Sequence, residues 1–163
     1  MVWGDFSGNG NGSLGRSILS NQKRLVGLIA GKTKRYHADP LFARYGVLKV
    51  GDLYRQQLRI HAWKFWNGCL PQAQAAMLER VSQTHDHGTR LARRGMFVST
   101  RDHKRVGYRV PKEWETLTDT LRGVTSLGAF KRHSKGEFIK GYGQFKCSVR
   151  DCYVCKEGGV ELL

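Results

Sequence analysis

Acidic residues are scarce. The chain of 163 residues carries 13 Asp and Glu against 28 Lys and Arg, a formal net charge of +15. The few carboxylates are scattered, with no pair in an apolar setting and no Asp-Asp dipeptide, which argues against a two-metal phosphoryl-transfer centre within the chain. Cysteine is sparse too: Cys69, Cys147, Cys152 and Cys155 are too few and too clustered for a secreted disulfide scaffold. No apolar run approaches the roughly 18 to 20 residues that a membrane span needs, and the start lacks the basic-then-apolar order of a secretory signal. These absences predict a soluble intracellular chain, nuclear or cytoplasmic, with no membrane partner. There is no internal repeat.

What is present is charge of one sign on a chain with a real core. Hydrophobic residues make up 40%, including seven Phe, six Tyr and four Trp, enough to fold despite the charge. A surplus of positive charge points to a polyanion, and inside a cell the usual polyanion is RNA or DNA. The charge is concentrated in two segments. Arg16 to Arg35 holds six bases and no acid, and Arg90 to Lys112 holds eight bases against Asp102 alone. Phosphate contacts are therefore placed at Lys23, Arg24, Lys32, Lys34, Arg35, Arg90, Arg93, Arg94, Lys104 and Arg105. A third, smaller cluster lies at Lys131 to Lys135.

The expected fold is mainly α with a small antiparallel β-hairpin, an α+β arrangement. Residues 1–13 read as a flexible segment rich in Gly and Asn. A basic helical region, 14–82, follows. Its first helix runs from a Ser13 cap to Gly31 with Leu14, Ile18, Leu25, Leu28 and Ile29 as its inward face. Asp39 caps a short helix that stops at Gly46. Asp52 caps a longer one, 53–67, whose apolar side includes Leu53, Tyr54, Leu58, Ala62, Phe65 and Trp66 and which ends at Asn67-Gly68. Pro71 opens a helix from Gln72 to about Val81. Residues 83–140 hold strands at Met96 to Ser99 and Val106 to Val110, packed by Trp114 and Leu117, then a Ser126-capped helix with Leu127, Phe130, Phe138 and Ile139 inward. Residues 141–163 are a tail that contains three of the cysteines.

Three motifs are weighed against plainer readings. Gly10 to Gly15 spells GxGxxG before a helix, but Lys34-Arg35-Tyr36 stands where a dinucleotide site needs an acid. Gly27 to Thr33 has three residues between its glycines where a phosphate-binding loop has four. His85-Asp86-His87 offers metal-ligand types, yet adjacent residues do not easily converge on one ion. A metal-dependent nuclease built on His85 and His87 thus ranks low. Cys147, Cys152 and Cys155 form C-x4-C-x2-C, a candidate structural zinc site whose fourth ligand would be His133 or Cys69.

The ordered set Trp3-Gly4, Gln22 to Ile29, Pro40 to Phe42, Asp52 to Leu58, Thr89-Arg90, Tyr108 to Pro111 and Trp114 resembles the C-terminal portion of non-LTR (LINE-type) retrotransposon reverse transcriptases, over about residues 3–140. The resemblance implies a helical thumb-like bundle plus a post-thumb segment, beginning where a palm has ended. It implies contact with a template–primer duplex or target DNA, and partnership with the missing palm and fingers. The family's Tyr-x-Asp-Asp turn is absent; the nearest echo, Tyr36-His37-Ala38-Asp39, is one acid short. The chain is accordingly read as a fragment of an RNA-directed DNA polymerase with no catalytic residues of its own. Some family members end in a cysteine-rich knuckle, which favours zinc at the three tail cysteines. The competing reading is a nonfunctional remnant or protein-interaction piece, in which Trp63, Trp66 and other apolar surface once packed on a palm and now leave an exposed apolar patch.

Overall fold

The computed structural model describes residues 13–32, 36–78, 80, 96, 106–143 and 152. Seven helices lie among them: α1 (Ser13–Ile29), α2 (Asp39–Arg44), α3 (Val50–Trp66), α4 (Gln72–Ala75), α5 (Val106–Glu115), α6 (Asp119–Arg122) and α7 (Leu127–Tyr142). The chain divides into two compact units, one made of residues 1–53 and 135–163 and the other of residues 54–134.

Three helices end the same way. Gly31, Gly46 and Gly68 have φ of 66, 59 and 69°. At each, the glycine N–H and the next residue's N–H donate back to the final turn: Gly31 to Leu28 and Lys32 to Gly27, Gly46 to Ala43 and Val47 to Phe42, Gly68 to Phe65 and Cys69 to Lys64. This is the Schellman motif, which satisfies carbonyls that the helix itself leaves unpaired.

In the first unit, Val26, Ala38, Leu41, Phe42, Leu48, Phe138, Tyr142 and Cys152 form the core. Tyr142 anchors it. Its hydroxyl donates to Asp52 Oδ2 at 2.5 Å and accepts from the Lys49 amide at 3.1 Å. Its ring meets Phe42 edge-on and lies 4.4 Å from Lys49 Nζ, which also pairs with Asp39 at 2.8 Å. Gln22 docks α1 onto the start of α3, accepting from the Val50 amide at 2.8 Å and donating to the Leu48 carbonyl at 3.0 Å. The expected caps are therefore displaced. α3 starts at Val50 with Gln22 holding its first amide, and Asp52 sits in the first turn. α2 has Ala38 at its N-cap and Asp39 as its first residue, a position where a carboxylate still meets the positive end of the helix dipole.

In the second unit, the core is Ile60, Ala62, Trp63, Leu78, Met96, Val110, Trp114, Leu117, Leu121 and Phe130. Trp66 and Trp114 stack with ring centroids 5.3 Å apart, and Trp63 donates its indole N–H to the Val124 carbonyl at 2.7 Å. Trp63 is thus buried and Trp66 half-buried, so the exposed apolar surface of the described residues lies elsewhere, on α1, where Leu14, Leu25, Leu28 and Ile29 face out. Arg59 is buried on α3, where Glu113 accepts from both it and Arg55, at 3.3 and 2.7 Å, and where Thr116 and Ser134 take its remaining donors.

The expected hairpin is not supported. Val106 to Val110 belongs to α5, and among the described residues extended pairing is limited to one antiparallel bridge, Arg80 with Met96. The reason is a coincidence of periods. Val106, Tyr108 and Val110 alternate as in a strand, but Val106 and Val110 also open an i, i+4, i+8 series that Trp114 completes, and Val110, Pro111 and Trp114 are all buried. Over a ten-residue window the helical period buries more apolar surface. α4 is also shorter than expected, four residues with Pro71 at its N-cap.

Truncating the best-buried aromatic, Trp114→Ala, should lower the unfolding free energy by about 3–5 kcal/mol in urea melts. Burial, then the charge of Lys64, holds His61 below its usual 6.5. The folded state therefore favours neutral imidazole, and stability present above that pH is lost as protons bind the unfolded chain. The urea midpoint should fall between about pH 7.5 and pH 5.5 by more in the wild type than in His61→Gln.

Candidate nucleic-acid interface

α1 presents the clearest basic surface. At about 100° per residue, Arg16, Ser20, Lys23 and Arg24 share one side of the helix, and all four are exposed. No described acid lies within ion-pair distance of Arg16, Lys23 or Arg24, and α1 itself contains none. Arg16 and Lys23 are seven residues apart, so the bases span about 10 Å of helix axis, room for roughly three phosphates at about 3.4 Å per nucleotide of one strand.

The placement of α1 explains why these side chains point outward. Its buried side runs through Gly15, Leu19, Gln22, Val26 and Ala30. The Tyr36 hydroxyl donates to the Lys23 carbonyl at 2.8 Å, and its ring covers Gly27 so closely that an added Cβ would lie 1.9 Å from the Tyr36 oxygen. The glycine is there for close approach rather than for flexibility.

Of the sequence-predicted contacts, Lys23 and Arg24 thus fall on one exposed surface. Lys32 is half-buried at the α1 terminus, where its amide closes the glycine turn. Lys34, Arg35, Arg90, Arg93, Arg94, Lys104 and Arg105 lie outside the described residues, as do His85 and His87. Arg16 lies on the same side of α1, and on α7 Lys131, Arg132, Lys135 and Lys140 are exposed bases. For Arg16 the signal was local: a base at helical spacing on a helix without acids. Other bases are committed to structure. Lys49, Arg55, Arg59 and Lys112 pair with carboxylates, Arg109 donates to the Tyr54 hydroxyl, and Arg122 donates to the carbonyls of Trp114 and Glu115.

Among the described residues no three His, Cys, Asp or Glu side chains converge as metal ligands. Cys152 is buried in the first unit's core, its sulfur accepting from the His37 amide at 3.1 Å. Cys147 and Cys155 lie outside the described residues.

Brief alkylation of the native chain with iodoacetamide, followed by peptide mass analysis, should label the exposed Cys69 at least about tenfold faster than Cys152, because a buried thiol is shielded from reagent. Comparison of the chain with protein-family models, curated proteins and solved structures gave no match.

Proposed function

We propose that the chain is a noncatalytic nucleic-acid-binding module that grips phosphates, with α1 as its principal contact, and that it acts as the thumb-like C-terminal part of a retroelement RNA-directed DNA polymerase. The observation that carries the binding reading is the exposed run of Arg16, Lys23 and Arg24 on a helix without acids. Such a surface binds by releasing counterions from the backbone, with little dependence on base sequence. The retroelement assignment rests on the ordered motifs from Trp3-Gly4 to Trp114. In this reading the palm and fingers are supplied by another stretch of polypeptide, and the chemistry is theirs.

A fluorescein-labelled RNA–DNA duplex titrated by anisotropy tests the binding. Affinity should fall steeply from about 50 to 200 mM salt. The triple substitution Arg16→Ala/Lys23→Ala/Arg24→Ala should reduce the slope of log K against log salt by about one per base removed, with scrambled duplexes affected alike. Equal affinity at both salt concentrations, or no binding, would sink the reading.

A further inference from the structure

The inward face that the sequence predicts for α1 does not face inward. Leu14, Ile18, Leu25, Leu28 and Ile29 are 65, 36, 59, 66 and 71% exposed, while the core side of the helix is centred on Val26. Leu14, Ile18, Asn21, Leu25 and Leu28 follow one another at spacings of four, three, four and three residues. That is the register of a knobs-into-holes seam, with one polar position, Asn21, at its middle. Its outer side is flanked by Arg24.

We infer that this stripe is a docking surface for one amphipathic helix of a different protein, with apolar residues at its own a and d positions, a hydrogen-bonding residue opposite Asn21, and acids flanking its seam. The sign of the charge selects the occupant. From residue 6 to residue 38 the sequence has no acid. Of the described carboxylates, Asp39, Glu113, Glu115 and Asp119 are paired with bases and Asp52 with Tyr142. A second copy of the chain would bring +15 of like charge and few acids to meet it. A lipid surface fits poorly as well: Arg16 and Lys23 sit about 160 to 180° around the helix from the stripe's centre, and would point away from anionic headgroups. Arg16 and Lys23 lie on the opposite side of α1 from the stripe, while Arg24 borders both.

The test uses the full chain and a labelled designed peptide of three heptads, with Leu at a and d, Asn at one central d, and Glu at e and g. Saturable binding is expected. It should weaken at least tenfold in Ile18→Ser/Leu25→Ser and in a second variant, Leu14→Ser/Leu28→Ser, both checked for an unchanged circular dichroism spectrum. A peptide with Lys at e and g should not bind. The inference fails if both peptides bind alike or the variants bind as well as wild type. It fails too if the wild type sediments as a dimer that the variants dissolve, or if the stripe instead drives partition onto phosphatidylserine vesicles. Duplex affinity separates this from the proposed function: the serine variants should keep it within about twofold, and a parallel loss would make the stripe part of the nucleic-acid surface and overturn the inference.

Discussion

The second unit is organised around a single carboxylate. Glu113 receives Arg55 and Arg59 together, and Arg59 is buried, so that leaving its guanidinium unpaired would cost several kcal/mol. The same economy governs the first unit, where Asp39 holds Lys49 and Asp52 holds Tyr142. Glu113, Asp39 and Asp52 thus stand at junctions between elements, whereas Glu115 and Asp119 make i,i+3 pairs along single helices. Among the described residues, Arg16, Lys23 and Arg24 on α1 are bases left facing solvent. The charge imbalance thus does two things at once: it fixes packing through a handful of pairs and leaves the exposed side of α1 positive.

Helix termini were legible in the sequence because their chemistry is local. Gly31, Gly46 and Gly68 each stop a helix where the sequence places the stop, since the residues that close the turn are neighbours in the chain. The last helix was legible too: Phe130 and Phe138 are buried while Lys131, Arg132 and Lys135 are exposed. The short strand at Val106 to Val110 was misread because five residues cannot separate a period of two from a period of four. The pattern is decided by Trp114, which lies beyond the alternating stretch.

Burial was harder to read than helicity. On α3, Gln56 and Arg59 are inside while Leu53 is 46% exposed. A long side chain such as that of Arg59 can enter a core only if partners from distant positions meet it, here Glu113, Thr116 and Ser134, and no local pattern reports that. On α1 the apolar period is genuine, but it marks a side that stays exposed, outside the core built by the described residues. The core instead takes the neighbouring side, where Gly27 allows the close approach of Tyr36 and Gln22 reaches the start of α3. Periodicity identifies a face that avoids water and is silent about what lies against it. For the basic site, Lys23, Arg24 and Arg16 were legible from charge and spacing together.

The glycine turns carry one more implication. An added Cβ at Gly31, Gly46 or Gly68 would meet nothing within 4 Å, so there is room for a side chain at all three. What excludes an ordinary residue is handedness: the backbone angle there suits the mirror-image configuration, and an L-residue would strain the chain without touching anything. The selection at these three places is therefore for chirality and not for volume, and a D-alanine would fit where its L-enantiomer would not.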